Sequence, residues 1–414
     1  MRRNGTFAAI DVGTTKICTI VGDDQGEAGI RILGVGMVPS AGLSRGMVDN
    51  IRDATEAIRL SVEKAERSSG TRILAAHVGI AGAHIASMNN RAVVAVPNQA
   101  RPIAEDDVTR AIDNARTVTI QNNREVLHVI PRYYVVDGQN NVTDPVGMYG
   151  QRLDVEAHVI TATLSAMQNL TRCVEGIGVQ VDALILEPLA SAEAVLADEE
   201  RRQGVVLADI GGGTTDICIY ADGAVDHTSV LPVGGYHLTH DLVVGLRTPF
   251  NTAETVKANY GHALPSAVAS DQQIEIEVFG SEGRRCVNRR RICEILQARM
   301  EEILEMILIE VKRAGYDETI SAGIVLTGGS ANLTGIDRLA EQVLQMPARV
   351  GLPLGIHGLI DTVANPACAT SVGLLQWAIR DAVPVGRTSI PRPRLRLGGL
   401  AKRFGDLARV VLPE

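Results

Sequence analysis

An internal repeat limits the possible folds of this 414-residue chain more than any other feature. Residues 8–17 (AAIDVGTTKI) and residues 207–217 (LADIGGGTTDI) each read as an apolar strand, an Asp, a glycine-rich turn with two threonines, and a second apolar strand. A strand–turn–strand unit that recurs across an α/β-type sequence predicts two similar α/β halves that face each other.

The two turns carry groups that suit a phosphate. Glycine lets backbone N–H groups approach an anion closely, and a threonine hydroxyl adds a donor. The strand-end carboxylates of Asp11 and Asp209 are costly to bury without a partner. A magnesium ion, directly or through its waters, would be that partner. Two hairpins stabilised only by side-chain turns are the alternative, and the match between the two copies disfavours it.

A third glycine turn, Gly328-Gly329-Ser330, follows the predicted strand Ile324–Thr327. On its own it would be a routine turn between a strand and a helix. As the third member of a set it would form a wall against which a purine or a ribose lies.

Composition excludes several classes of function. The net charge is −8, and one Trp, seven Tyr and four Phe offer few stacking platforms, so we expect no nucleic-acid partner. No apolar stretch reaches the ~18 residues of a membrane-spanning helix, and the N-terminus lacks a signal core. The six cysteines form no CxxC pair and have no zinc-ligand spacing, which predicts reduced, mostly buried thiols.

The C-terminal end differs in charge from the rest of the chain. Residues 386–414 contain seven Arg or Lys and two acidic residues, a net charge of +5 on a body of −13. This asymmetry indicates a separate task for the end. Residues 384–397 read as an extended Pro/Arg linker, and residues 400–411 as a short amphipathic helix.

The rest of the chain alternates predicted helices and strands. Residues 48–67 predict a helix that stops at Gly70, and residues 85–162 look like an inserted unit. Residues 262–290 look rich in loops. Later helices are predicted at about 235–246, 252–260, 293–314, 335–346 and 366–382.

The motifs follow the order found in the actin/Hsp70/sugar-kinase ATPase superfamily. The matching segments are residues 11–16, 186–188, 209–216, 233–235 and 327–329. Within that superfamily the chain resembles the FtsA family of bacterial cell-division proteins. The features behind this closer match are residues 144–148 (DPVGM) with 152–156 (RLDVE), residues 187–191 (EPLAS), residues 254–257, and the basic amphipathic end.

The resemblance implies a duplicated actin-like (ribonuclease-H-like) α/β ATPase fold with an FtsA-type inserted subdomain. The implied division is 1–84 with 163–203 for the first half (1A), 85–162 for the inserted α+β subdomain (1C), 204–245 with 315–383 for the second half (2A), 246–314 for subdomain 2B, 384–397 for a linker, and 398–414 for a membrane-targeting helix.

The resemblance also implies an ATP site with Mg²⁺, in which hydrolysis is slow or absent. Asp11 and Asp209 would hold magnesium through water, and Glu187 would position the attacking water. Glu254 and Lys257 would grip the ribose, although a surface ion pair stays open as their alternative. The implied nucleotide-binding residues are Gly13, Thr14, Thr15, Lys16, Gly211, Gly212, Gly213, Thr214, Thr215, Gly234, Gly235, Glu254, Lys257, Gly328, Gly329 and Ser330.

The resemblance further implies that the long helix near 293–314 binds the C-terminal peptide of the division tubulin FtsZ. Arg285, Arg299 and Glu302 would form that peptide site, and the arginines at 289–291 would suit an acidic partner. A solvated charged face on an ordinary helix is the alternative.

The tail helix is expected to lie in the headgroup plane of an anionic membrane. A terminal helix docked on its own protein is the alternative. The residues expected to contact the membrane are Leu400, Lys402, Arg403, Phe404, Leu407 and Val411.

Together these features imply an ATP-binding protein that polymerises and tethers the FtsZ ring. It would act as a peripheral protein at the cytoplasmic face of the cell membrane, at the division septum, with residues 85–162 contacting other division proteins. A pilus-assembly protein of the PilM type, or a sugar or acid kinase of the same superfamily, remains the alternative.

Overall fold

A computed structural model describes residues 5–96, 101–120, 122–280, 283–316 and 320–382. The predicted linker (384–397) and membrane-targeting helix (398–414) lie outside these residues. Within them, no helix combines the length and the apolar character that crossing a membrane requires.

The first half is built on a six-stranded mixed sheet. Its central hairpin, Thr6–Val12 with Lys16–Asp24, buries Ile10, Ile17 and Ile20 completely. In spatial order the strands are Gln180–Leu186, Ala75–Ile80, Thr6–Val12, Lys16–Asp24, Ile30–Pro39 and Ile356–Gly358.

Three helices and a small hairpin lie between the strands of this sheet along the chain, and a fourth helix, Ala369–Ala382, also packs on the sheet. The helix Ile51–Ser69 begins at Asn50, whose side chain caps two N–H groups, and ends at the left-handed Gly70 as predicted. The other elements are the helices Leu164–Glu175 and Glu187–Val195, the short strands Leu43–Ser44 and Met47–Val48, and a 3₁₀ turn at Gly26–Ala28.

The second half repeats this arrangement with five strands. The hairpin Val205–Ile210 with Thr215–Ala221 takes the place of the first hairpin, and Val205–Ile210 runs parallel to Ile324–Thr327. In spatial order the strands are Ala224–Leu231, Thr215–Ala221, Val205–Ile210, Ile324–Thr327 and Ala348–Val350. The helices of this half are Asp198–Gln203, Gly235–Leu246, Phe250–Tyr260, Arg289–Arg313, Ile336–Leu344 and Ile360–Val363, with 3₁₀ turns at Pro265–Ala267, Gly329–Asn332 and Pro366–Cys368.

The predicted insertion forms its own antiparallel sheet and hydrophobic core. Its strands, in spatial order, are Ala86–Ala95, Arg152–Thr163, Arg124–Val136 and Gln139–Val142, and its helix is Glu105–Arg116. Buried polar contacts join it to the second half: Arg132 pairs with Asp226, and His158 Nε2 lies 3.0 Å from Thr228 Oγ1.

The structure differs from the sequence-based interpretation at several places. The strand Ile356–Gly358, placed with 315–383 in the second half, joins the first sheet, and the helix Asp198–Gln203, placed with 163–203 in the first half, contacts the second hairpin. The helix Ala369–Ala382, placed with 315–383 in the second half, packs instead on the helix Glu187–Val195 and on the first sheet, because its apolar face fills the first core. The stretch 262–290 contains a hairpin, Gln273–Glu277 with Arg284–Asn288, in which alternate residues Ile274 and Ile276 are buried.

Candidate nucleotide-binding cleft

The two glycine-rich turns meet tip to tip between the halves. We call residues 13–16 the first turn and residues 211–214 the second turn. A Cβ added at Gly212 would lie 2.2 Å from Thr15 Cγ2, and one added at Gly213 would lie 2.8 Å from Thr14 Oγ1. The second turn therefore needs glycine for a steric reason: only a bare backbone lets the threonines of the first turn approach this closely.

The strand-end aspartates are buried just behind these turns. Ser371 Oγ donates to Asp11 Oδ2 at 2.8 Å, while Ser191 Oγ and Thr370 Oγ1 donate to Asp209 Oδ2 at 2.5 and 3.0 Å. Burial raises the pKa of both carboxyls, and the nearby charge of Lys16 opposes that rise. The motif-based prediction named both aspartates but missed the three hydroxyls that hold them.

Residues 365–371, which we call the seam segment, join the first turn to the third glycine turn. The Pro366 carbonyl accepts from Gly328 N at 3.1 Å and from Thr327 Oγ1 at 3.2 Å, both in the second half. The Ala367 carbonyl accepts from Lys16 Nζ in the first turn. The same segment supplies one hydroxyl to each aspartate, Thr370 to Asp209 and Ser371 to Asp11, so one short stretch of chain orients both sides of the cleft.

Two more carboxyls lie near the aspartate pair. Asp216 sits directly opposite Asp209 across the second hairpin and accepts from Thr214 Oγ1 at 3.0 Å. Burial and the Asp209 charge raise the pKa of Asp216 to about 8. Glu187 is partly accessible, but desolvation of its carboxyl and the charges of Asp11, Asp216 and Asp209 raise its pKa well above the usual value.

This electrostatic environment favours a cation. Lys16 is the cation whose charge acts on both Asp11 and Asp209, against four carboxyl groups. Within the described ranges, no group of three or more acidic, His or Cys side chains has the geometry to hold a metal directly. The residues therefore fit a magnesium ion bound through water and phosphate rather than an all-protein metal cage.

The predicted ribose side is also assembled. Lys257 Nζ contacts Glu254 Oε2 at 2.8 Å, Thr239 Oγ1 at 2.8 Å and the Gly235 carbonyl at 3.2 Å. Glu254 and Lys257 thus form the ion pair named as their alternative, yet that pair lies against the glycine turn of the cleft. A Cβ on Gly235 would lie 2.5 Å from Ser330 Oγ, which places the third glycine turn beside it.

Within these turns, two predicted residues have structural constraints of their own. Gly328 has a φ of +87°, and a Cβ there would lie 2.3 Å from Asp209 Oδ1, so glycine is required on both counts. Thr215 is fully buried, and its hydroxyl donates to the Val233 carbonyl at 2.8 Å. Thr215 therefore fixes the position of the second turn from within the buried part of the second half.

The predicted peptide-binding residues lie apart from the cleft. Arg299 Nε and Nη2 donate to both carboxylate oxygens of Asp241, at 2.6 and 3.2 Å, and Arg299 Nη1 donates to Glu302 at 2.5 Å. Arg285 is exposed on the hairpin strand Arg284–Asn288. Arg299 is thus already paired within the fold, which the sequence pattern did not indicate.

Comparison with protein families gives two matches that cover different parts of the chain. The family model for Cell division protein FtsA matches residues 206–373, and the model for the SHS2 domain inserted in FTSA matches residues 82–161. The second match falls on the inserted sheet described above.

Full-length relatives agree with these matches. The cell division protein FtsA of Pseudomonas aeruginosa is 40% identical over 374 residues, covering 90% of this chain and 89% of that protein. The FtsA proteins of Neisseria meningitidis (39% identity, 96% of each chain) and Bacillus subtilis (37% identity, 94% of this chain and 86% of that protein) are similar over comparable lengths.

Solved structures show the same fold at low identity. The PilM-PilN type IV pilus biogenesis complex matches with a TM-score of 0.65 at 15% identity, covering 90% of this chain and 98% of that chain. MreB 5 of Spiroplasma citri bound to AMPPNP matches with a TM-score of 0.56 at 14% identity, covering 92% and 98%. These likenesses confirm the actin-like fold, and at such identities they carry no further function. With relatives 37–40% identical over most of its length, the chain belongs to the FtsA family of cell division proteins.

Proposed function

We propose that the cleft binds ATP together with Mg²⁺. The observation that carries this proposal is the tip-to-tip meeting of two glycine-rich turns in front of the buried pair Asp11 and Asp209. Backbone N–H groups of both turns would hold the phosphates, and the threonine hydroxyls of the first turn would add donors. Lys16 would contribute the positive charge.

The other predicted residues have distinct tasks in this proposal. Asp11 and Asp209 would orient water ligands of the magnesium ion, which supplies positive charge against the phosphates. Glu254 and Lys257 would contact the ribose, and the turn 328–330 would form the wall on the base side. Glu187 would position the attacking water, and hydrolysis would be slow or absent.

Binding of Mg-ATP by Asp209→Ala tests the nucleotide site. Loss of this carboxylate should abolish binding measured by titration calorimetry. Asp198→Ala is the control, since the Asp198 side chain is 82% exposed and lies on the helix Asp198–Gln203, outside both turns. Wild-type affinity in Asp209→Ala, with the fold intact by circular dichroism, would refute the site.

The proposed cellular role is a membrane tether for the FtsZ ring. It is supported by membership of a family whose relatives are named cell division proteins. The chain would polymerise, bind the FtsZ C-terminal peptide near Arg285, Arg299 and Glu302, and contact other division proteins through residues 85–162. The tail 398–414 would attach the polymer to the anionic cytoplasmic face of the membrane at the septum.

Co-sedimentation with vesicles tests the attachment. The full chain should sediment with anionic vesicles and not with neutral ones, and deletion of residues 398–414 should end it. Phe404→Asp should release the protein at every salt concentration, because burying this side chain is worth roughly 1.5–3 kcal/mol. Lys402→Ala should weaken binding only modestly and mainly at low salt, since one basic residue is worth about 1 kcal/mol.

The pairing of Arg299 with Asp241 shapes the test of the peptide site. Arg299→Glu should weaken binding of an acidic FtsZ tail peptide by ~1.5–3 kcal/mol, measured by fluorescence anisotropy. The double variant Arg299→Glu/Asp241→Arg restores an internal ion pair in reversed order. If the double variant recovers wild-type peptide affinity, Arg299 supports the fold and does not touch the peptide.

A further inference from the structure

The insert, residues 85–162, is a rigid extension of the first half. Its two long strands, Arg124–Val136 and Arg152–Thr163, reach from the core of the insert into the core of the first half. At the first-half end of these strands, Leu127 and Ile160 are buried in the first core. Strands that are close-packed in both cores tie the insert firmly to the first half, so the two must move together.

The insert also contacts the second half, through polar groups. Its first strand lies beside Ala224–Leu231, the edge strand of the second sheet. Ser87 Oγ donates to the Thr228 carbonyl at 2.9 Å, and Asn89 Nδ2 donates to the Asp226 carbonyl at 3.2 Å. Two side chains of the insert thus bind two carbonyl groups that an edge strand would otherwise turn to solvent.

Two further side-chain contacts reinforce this edge. Arg132 pairs with the carboxylate of Asp226, which also accepts from the Tyr316 hydroxyl. His158 Nε2 lies 3.0 Å from Thr228 Oγ1. The Asp226 side chain is 8% exposed and the Arg132 side chain 20%, so water has little access to this ion pair. We call the bridge the contacts that the second half receives from Ser87, Asn89, Arg132 and His158.

The bridge lies away from the nucleotide cleft but on a strand that leads to it. Leu231, at the end of the edge strand, pairs with Thr215 beside the second turn. Asp226 precedes Leu231 by five residues, and five residues of strand span about 17 Å. The same strand therefore carries the bridge at one point and borders the second turn at another.

A rotation of one half against the other would pull the insert away from the edge strand. The core of the insert, as far as the structure describes it, contains no residue of the second half. Hydrogen bonds and an ion pair are replaced by contacts with water when they separate, so the bridge can open while both cores stay folded.

We propose that the bridge is a clamp that holds the two halves closed around the nucleotide. Loosening the bridge lets the two glycine-rich turns separate, and a bound nucleotide then leaves faster. The clamping of the halves stands on the contacts above, while its effect on the nucleotide rests on the proposed ATP site.

Reversed charges test the clamp in the full chain. Arg132→Glu and Asp226→Arg each place like charges across the boundary, and the double variant Arg132→Glu/Asp226→Arg restores an opposite pair. Arg91→Glu is the matched control. Arg91 also pairs with a buried aspartate, Asp154, but both of these residues belong to the insert.

Hydrogen exchange without nucleotide measures the clamp itself. In each single variant, the backbone amides of the first turn (residues 13–16) and the second turn (residues 211–214) should exchange at least ~5-fold faster than in wild type. The double variant should return close to wild type. Arg91→Glu should match wild type in both turns.

Mg-ATP binding measures the consequence of opening. Titration calorimetry should show a loss of affinity of about 10-fold in Arg132→Glu and in Asp226→Arg, an ordinary size for coupling between distant sites. The dissociation rate of a fluorescent ATP analogue should rise by a similar factor. The double variant should recover most of the loss, and Arg91→Glu should keep the wild-type affinity.

An uncharged variant keeps the test valid if a charge reversal fails to fold, which circular dichroism will show. Ser87→Ala/Asn89→Ala removes the two hydrogen bonds to the edge strand and introduces no charge. It should speed the exchange of both turns and weaken Mg-ATP binding, each by a smaller factor than the charge reversals.

The outcomes distinguish separate failures. Faster exchange confined to residues 86–95 and 224–231, with both turns unchanged, would overturn the clamp, and so would an equal effect of Arg91→Glu. Faster exchange of the turns with unchanged Mg-ATP affinity would overturn the link to the nucleotide. A wild-type chain that binds no Mg-ATP would overturn the proposed nucleotide site instead, and the exchange of the turns would still decide the clamp.

Discussion

The two hairpins at the cleft have the same strand pairing but carry different side chains at matching positions. In both, the strand-end Asp faces the residue seven positions later, Cys18 in the first hairpin and Asp216 in the second. By this pairing Thr14 and Thr15 correspond to Gly212 and Gly213, and Lys16 corresponds to Thr214. The first hairpin supplies hydroxyls and a cation, whereas the second supplies space and an additional acid.

This division of labour follows from the way the turns meet. Bulk is possible on only one of two opposed tips, and here the threonines occupy the space that Gly212 and Gly213 leave open. When the two sequence motifs are written side by side, Thr14-Thr15 matches Thr214-Thr215. In the strand pairing, Thr14 and Thr15 instead take the positions of Gly212 and Gly213. The two similar motifs thus fold alike, but the first turn contributes side chains to the cleft and the second turn contributes the space for them.

The largest effect should come from filling the space in the second turn. Gly212→Val puts a branched side chain where a Cβ alone would lie 2.2 Å from Thr15, so the turns must separate. We expect Mg-ATP affinity to fall more than 100-fold in titration calorimetry, which is above ~2.7 kcal/mol.

A compensating change sharpens this comparison. Gly212→Ala should also weaken binding, and Thr15→Gly in the same chain should restore part of it by removing the opposing side chain. Equal affinities for Gly212→Ala and Gly212→Ala/Thr15→Gly would show that contact between the tips does not limit binding.

A smaller effect on Mg-ATP affinity is expected from replacing Lys16 of the first turn with threonine, the residue at the matching position of the second turn. Lys16→Thr removes the charge that acts on Asp11 and Asp209 and leaves the Ala367 carbonyl without its donor. A hydrogen bond to a charged group is worth ~1.5–3 kcal/mol, so Mg-ATP affinity should fall about 10- to 100-fold.

Lys64→Thr is the matched control for Lys16→Thr. Lys64 also donates to a backbone carbonyl, that of Met37 at 3.0 Å, but it is exposed on the helix Ile51–Ser69. An equal loss of affinity in Lys64→Thr would mean that the effect of Lys16→Thr is not local to the cleft.

The sequence predicted the parts of this cleft that local patterns encode. Both turns, the strand-end aspartates and the helix stop at Gly70 depend on neighbouring residues, and the structure has them where they were expected. Thr370 and Ser371 escaped prediction because they begin an apolar helix and reach their aspartates only in the folded chain.

Long-range packing explains the other differences. The helix Ala369–Ala382 follows second-half elements along the chain, yet it packs in the first core, and nothing in its own periodicity says which sheet it covers. Arg299 looked available on a charged helix, and its partner Asp241 lies on a separate helix. The local spacing of residues identifies such side chains but cannot show which distant partners they already contact.

The smallest effect should come from replacing Asp216, the acidic residue that the first hairpin lacks at the matching position, and it concerns stability. The pKa of Asp216 is about 8 in the fold, above the usual 3.8, so the folded state binds this proton more tightly than the unfolded state. Its contribution to the free energy of unfolding is therefore fully present below about pH 4 and is lost as the pH rises to about 8. Asp216→Asn, which keeps the shape without the charge, should remove that loss. Without nucleotide, its melting temperature should match wild type below about pH 4 and exceed it by several degrees at pH 8. A variant less stable than wild type at pH 8 would mean that the Asp216 carboxylate is stabilised by a group on the cleft side. Asp216 would then differ from Cys18, its counterpart in the first hairpin, in packing and not in the effect of its charge.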